Sequence, residues 1–565
     1  NNKSLDTDKN KKNKDEDAIY KKLASYYSLI LYFAFLSHDS IVSLEDIINK
    51  INKGDNKRIA ANLDLEIDIL KIIQSHAEPY TLLSLNKSIK DANYSGNRTD
   101  LSPLENVKRV LKRCNRLSSS EIVTPEWLAD EMIALLPENL FDEDGIVLDI
   151  ASKQGEFALA LYTRYAAKYP EECRTRIYSL CTSGLAYEFT RKTYECLGLE
   201  VKNIIRTKTS YDIIAPLLNK RTKNAEITVK DIIGKDMNVI SIVGNPPYQQ
   251  MDGGAGVSAS PIYNYFVDIA RKSKPGFVSM IMPAKWYSGG KGLRDFRESM
   301  LNDKNIVNLV DFVDSRDCFP TADIAGGICY FLWGKKHKGN CTFTHNANGD
   351  SITTQKILNS NDILLRNPMA ENIVNKVKSV TTAFFDSIVS SRKPFGLATN
   401  ATIVQNGDLR IRYNKGWGHF NRKDVPSGVN LIDQWNVIIS YLSAEHAGQP
   451  DKNGNFKILS SLDILKPKSI CTETYLVAFS SEYETEAINA HKYFQTKFLR
   501  FLVSTVALSQ HITKGCFAFV PTENFTEDSD IDWSKSVKEI DTQLYAKYNL
   551  SDDEIDFIES MIKPM

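Results

Sequence analysis

The chain reads as an α/β protein flanked by two regions of different character, and three features of the sequence say so. Short apolar runs of strand length alternate with helix-length stretches from Glu121 to about Asn340; helical periodicity alone governs the residues before them; and no regular period governs the residues after them. Strict alternation of strand and helix builds a parallel sheet with helical crossovers. The 565 residues exceed a single folding unit, at ~150 residues per domain. With 42% hydrophobic and 25% charged residues the composition is that of a globular chain, which excludes disordered and fibrous classes.

Residues 1–16 are rich in Lys, Asn and Asp, lack the apolar core of a signal peptide, and are expected to form a disordered tail. The chain opens with Asn1 rather than Met, which fits the later part of a longer polypeptide with upstream modules. From 17 to 120 the apolar residues recur at helical spacing, as in Ile41, Leu44, Ile47, Ile48 and Ile51. This predicts a helical packing or connecting domain without chemistry of its own. Tyr26 to Leu36 is too short to span a bilayer and reads as a buried helix, so no membrane association is expected.

In the α/β region, 121–340, strands are expected at Gly145 to Ile150, Arg176 to Cys181, Val239 to Val243, Phe277 to Met282 and Ala325 to Trp333. Residues 341–522 mix short strands, loops and helices around Trp417, Phe420, Trp435 and Phe456, a mixed α+β pattern suited to a separate recognition domain. Residues 523–565 are expected to form an acidic tail ending in a helix that begins at Ser551-Asp552-Asp553. The 70 basic and 70 acidic side chains cancel, so a polyanion must be met by a local basic surface. Nine cysteines without a C-x-x-C pair give neither a zinc ribbon nor a disulfide framework, and point to a reducing cytoplasm. No metal site is expected.

The sharpest motif is Asn245-Pro246-Pro247-Tyr248, immediately after the apolar run Val239 to Val243. That position is the carboxyl end of a strand, where open α/β sheets bind ligands. The prolines stiffen the backbone and remove two N–H donors, leaving carbonyls and the Asn245 amide oxygen to accept from an amino group beside the flat ring of Tyr248. A proline turn closing a buried strand is the structural alternative.

On these residues the chain resembles the N6-adenine DNA methyltransferases of the gamma (TaqI-like) class, found in type II and IIG restriction-modification systems, over residues 121 to 565. The order of motifs carries the likeness: Thr124-Pro125 opening a helix, then Asp149, Ala151, Gly155 and Phe157 in a loop after the first strand, then the tetrapeptide. The loop departs from the family's Asp-Pro-Ala-Cys-Gly-Ser-Gly-x-Phe pattern at its first glycine, here Lys153, which makes close backbone approach less free.

The resemblance implies a Rossmann-like methyltransferase domain at 121–340 that binds S-adenosylmethionine through Thr124, Pro125, Asp149, Ala151, Gly155 and Phe157, with Asp231 accepting from the cofactor's adenine amino group. The family's ribose-binding acid is missing after the second strand, unless Glu188 reaches back. It further implies that Asn245 and the Pro246 carbonyl grasp the amino group of an adenine flipped from duplex DNA, between Tyr248 and Phe319. Lys285 and Lys291 offer phosphate contacts, with a merely solvated basic face as the alternative.

The region 341–522 resembles a target-recognition domain, where Arg410, Arg412, Lys415 and Trp417 form the best DNA-binding candidates. The expected function is site-specific adenine methylation of double-stranded DNA, with any restriction nuclease or helicase on a fused or separate module. Two other readings stay open: DNA recognition with weak or no methyl transfer, and methylation of an RNA or a protein amide.

Overall fold

The computed structural model describes residues 23–113, 122–219, 226–234, 237–250, 260–288, 292–444, 451, 455–507 and 511–565. The tail expected at 1–16 lies outside them, as does Lys291. The chain forms two compact units. The first comprises Asn1–Met282, Asn305–Val307 and Tyr330–Lys338; the second comprises Pro283–Lys304, Asn308–Cys329 and Gly339–Met565. Among the described residues no helix is long and apolar enough to cross a membrane.

The first unit opens with helices, as the periodicity requires. Residues 23–36 form one, burying Ile30, Phe33, Phe35 and Leu36. Ser43 then starts Leu44–Lys50 by accepting the amide of Asp46, so that a side-chain oxygen satisfies a helix-end donor. Gly54–Asn62, Ile67–His76, Pro79–Gly96 and Pro103–Arg113 follow. Their apolar stripes meet in one core with Ile47, Leu70, Ile73 and Ile89 at its centre, and Phe189 of the helix Gly184–Leu197 enters the same core. The ring of Phe189 stacks on Phe35 and meets Tyr32 edge-on. Arg58 and Asn62 donate to Glu188 of that helix, which is 2% exposed. The helical layer is thus fastened to the sheet's own helix by an ion pair as well as by apolar area.

The sheet of this unit includes, together with the strand residues Tyr330–Gly334, five parallel strands: β1 (Ile146–Ser152), β2 (Ile177–Cys181), β3 (Ile204–Ile205), β4 (Val239–Gly244) and β5 (Phe277–Pro283, up to Met282). Their order is β3-β2-β1-β4-β5. Every residue of β1 is buried, which is why the strand reads as a continuous apolar run rather than an alternating one. The chain leaves β1 toward β2 on one side and returns as β4 on the other, so a crevice opens outside the carboxyl ends of β1 and β4. Four of these strands fall within two residues of the expected runs; the two-residue β3 is too short to announce itself.

The second unit contains β6 (Ile306–Phe312) from Asn308 onward, Ile328 and Cys329 of β7 (Ile328–Gly334), and the hairpin β8 (Cys341–Ala347) with β9 (Asp350–Lys356). β8 runs parallel to β6 and antiparallel to β9. The hairpin turns at Asn348-Gly349, both with positive φ, the pair that suits the right-handed twist of the flanking strands. The boundary expected at residue 340 therefore falls between two paired strands. Two three-stranded sheets follow. One orders β10 (Leu409–Tyr413), β11 (Gly416–Phe420) and β14 (Ser469–Cys471) as β11-β10-β14; the other orders β12 (Trp435–Ser440), β13 (Leu462–Leu465) and β15 (Tyr475–Ser481) as β13-β12-β15. Residues beyond 523 supply Phe525, Trp533, Leu544, Tyr548 and Ile558 to the core that also holds Val437, Tyr493 and Phe501. The last helix, Asp552–Met561, starts at the expected cap, with Ser551 and Glu554 forming a capping box.

Candidate active site

At the carboxyl end of β1 the chain turns into the helix Glu156–Tyr165 through Gly155, whose φ is +81°. A Cβ there would lie 2.9 Å from the Thr193 side chain, so the turn requires glycine twice over. Ser152 Oγ accepts from Gly155 N at 3.2 Å, and Thr193 Oγ1 donates to the Gln154 carbonyl at 2.7 Å, holding the loop from both sides. Asp149 is fully buried; its Oδ1 accepts from Ala151 N at 3.1 Å, while Oδ2 has no partner. Burial, then the neighbouring Glu156, push its carboxyl up to about 8. Glu156, 2% exposed, accepts from Gln154 N through Oε2 and leaves Oε1 without a partner. Ala151 and Phe157 are buried beneath the loop.

The tetrapeptide follows β4 directly. Asn245 is 1% exposed, and its Nδ2 donates to the Ile122 carbonyl at 3.0 Å and to Thr124 Oγ1 at 3.1 Å. A backbone carbonyl can only accept, so the amide nitrogen must face Ile122 and the oxygen must face away. Asn245 Oδ1 is buried without a hydrogen-bond partner. The Asn245 carbonyl accepts from Lys153 Nζ at 2.6 Å, and Lys153 is itself 1% exposed. Tyr248 is 9% exposed, its backbone anchored where its carbonyl accepts from Ile262 N at 3.1 Å. Pro125 sits at the N-cap of the helix Glu126–Ala134, so Thr-Pro opens a helix as expected.

Three motifs distant in sequence are thereby joined by hydrogen bonds: Thr124, the loop after β1 and Asn245. Two other candidates of this unit are engaged elsewhere. Asp231 lies on the surface, where its carboxylate accepts from the amide and hydroxyl of Thr228 in a capping box that lowers its pKa. Glu188 is engaged by Arg58 and Asn62 and does not reach back toward a ribose. In the second unit Phe319 is 2% exposed and Lys285 is exposed. The contact of Lys153 with Asn245 and the role of Ile122 were not visible in the sequence; the lysine in place of a loop glycine was the one signal it held.

The hairpin β10–β11 gathers the basic candidates of residues 341–522. Arg410 pairs across the strands with His419, and Arg412 with Trp417. Both arginines alternate with buried Ile411 and so share one face, and their guanidinium carbons lie 4.5 and 5.7 Å from the Trp417 ring centre. Trp417 is 39% exposed, and Lys415 stands exposed in the turn.

The site thus combines a parallel sheet, a glycine-turned loop after β1 and an acceptor-rich tetrapeptide after β4. In sequence comparison, residues 156–319 match the Eco57I restriction-modification methylase family, a span that contains the tetrapeptide and ends on Phe319. An uncharacterized adenine-specific methylase of Mycoplasma pneumoniae (strain ATCC 29342 / M129 / Subtype 1) is 31% identical over 168 residues, which are 27% of this chain and 40% of that protein. The chain thus spans well under half of that relative's length. Among solved structures, a nuclease-deletion mutant of the type ISP restriction-modification enzyme LlaGI with a DNA substrate mimic is similar at a TM-score of 0.46 and 11% identity, covering 89% of this chain and 56% of that one. The methyltransferase subunit of a type I system from Streptococcus thermophilus is similar at 0.35 and 12%, covering 65% and 93%.

Proposed function

We propose that the chain is a site-specific DNA adenine methyltransferase that transfers a methyl group from S-adenosylmethionine to N6 of an adenine flipped out of duplex DNA. The observation that carries this reading is the Asn245 amide: a buried acceptor at the carboxyl end of β4, fixed in direction by two hydrogen bonds and lacking a partner of its own. An orphaned buried acceptor costs free energy unless a ligand donor meets it. The loop after β1 fits the cofactor by the same test, since Asp149 Oδ2 and Glu156 Oε1 are buried polar atoms without a partner. Thr124, Pro125, Asp149, Ala151 and Gly155 would hold it, with Phe157 packed below.

When bound, the cofactor supplies an electrophilic methyl group. Asn245 Oδ1 and the Pro246 carbonyl accept from the adenine amino group, draw its lone pair out of ring conjugation and aim it. The surrounding burial strips water from the nitrogen, and the proton leaves N6 after the methyl arrives, so no strong base is required. Tyr248 and Phe319 supply flat surfaces that offset the stacking lost on flipping, a few kcal/mol. The hairpin β10–β11, with Lys285 and Lys291, grips the duplex. Restriction chemistry belongs to a fused or partner nuclease or helicase module, and a reducing cytoplasm suits the enzyme.

The test is transfer of tritiated methyl groups to plasmid DNA with the modified base mapped by sequencing. Asn245→Ala should lower turnover at least ~100-fold, as expected for loss of a preorganised acceptor, while circular dichroism and DNA binding stay unchanged. Normal turnover by that variant, or an unmodified plasmid with the wild-type chain, would overturn the reading.

A further inference from the structure

The loop that turns below the proposed cofactor carries a lysine where the resembling family has glycine, and that lysine does not point to water. Lys153 is 1% exposed, and its ammonium donates to the main-chain carbonyl of Asn245 at 2.6 Å. A buried ammonium persists only where acceptors and opposite charge replace its hydration. Here the carbonyl is one, and the same loop buries two carboxyl groups, Asp149 and Glu156, with Lys153 near enough for its charge to act on Asp149. The loop therefore brings its own cation to the carbonyl of Asn245 before any ligand enters.

We infer that Lys153 is a specificity-determining residue of the cofactor site, selecting the neutral thioether S-adenosylhomocysteine over the sulfonium S-adenosylmethionine. The inference rests on the reading of Asn245 as the residue beside which the methyl group is transferred. In that reading the donor's positive sulfur must come close to Asn245, whose carbonyl already holds a fixed ammonium. Two like charges in a water-poor pocket repel far more strongly than in solvent. The demethylated product carries no charge on sulfur and meets no such opposition. The unpartnered polar atoms Asp149 Oδ2 and Glu156 Oε1 serve both nucleosides alike, because the amino-acid and ribose portions are common to both. Lys153 thus bears on the one feature that distinguishes them.

Calorimetric titration of the full chain without DNA tests this directly. Both nucleosides are titrated into wild type, Lys153→Met, which keeps the apolar stem without the charge, and Lys153→Gly, which restores the loop residue of the resembling family. The ratio of the sulfonium's Kd to the thioether's Kd is expected to fall at least tenfold in Lys153→Met, with Lys153→Gly changing in the same direction. Melting temperatures recorded with each nucleoside should shift in parallel. A smaller change in the ratio overturns the inference. If both nucleosides bind but the ratio ignores the substitution, only the role of the lysine fails; if neither binds any of the three proteins, the methyltransferase reading fails with it.

Discussion

Asn245 is immobile: with its amide nitrogen bound to Ile122 and Thr124, its oxygen has one direction left. Asp149 illustrates the opposite use of burial. The folded protein keeps its proton up to about pH 8, whereas the unfolded chain releases it near the ordinary 3.8, so folding takes up a proton between these values. The contribution of this group to stability therefore declines as pH rises through that window and is flat above it. Asp149→Asn keeps the bond from Ala151 N and removes the titration. Its melting temperature should gain on wild type progressively from about pH 5 to about pH 8, measured by scanning calorimetry. A difference of constant size across that range would refute the assignment. At this scale legibility was uneven. Thr228-x-x-Asp231 is a helix-start signature that sequence alone contains, and it explains why Asp231 is occupied at its own helix end. The partner of Glu188 lies 130 residues away and has no local signal.

Among the elements, the strands were legible because strands buried on both faces are written as unbroken apolar runs, and β1, β2, β4 and β5 each have one. The loops were legible only as motifs; which side chain reaches which backbone depended on the turn at Gly155. The helices Gly54–Asn62 and Gly184–Leu197 are joined by Arg58 and Glu188, the guanidinium partly exposed and the carboxylate buried. Arg58→Ala strands that carboxylate with Asn62 alone and should cost about 3 kcal/mol in urea unfolding. Arg58→Ala combined with Glu188→Leu should recover much of the loss, because the uncompensated charge disappears with its partner. Equal destabilisation by the single and double variants would show that the helices are held by packing alone.

Taken whole, the molecule carries no net charge, so binding to a polyanion depends on where its cations are placed. The arginines of β10 beside Trp417 are such a placement. Arg410→Ala with Arg412→Ala should weaken DNA binding and lower the slope of log affinity against log salt by about 0.9 for each phosphate no longer neutralised, read by fluorescence anisotropy across a salt series. An unchanged slope would remove this hairpin from the DNA path. The limits of the second unit were less legible than its patches. A strand such as β8 can pair with β6 across thirty or so residues of intervening chain, a non-local choice that composition does not encode. The rigid Asn245 amide has a consequence for every nucleotide such an enzyme meets. An oxygen that cannot rotate away opposes the keto oxygens of guanine and thymine at the same edge, like poles facing like. In the proposed role, half of the bases of a duplex genome are turned away by repulsion before recognition of its sequence is called upon, and cytosine remains as the one mistaken substrate this wall alone would tolerate.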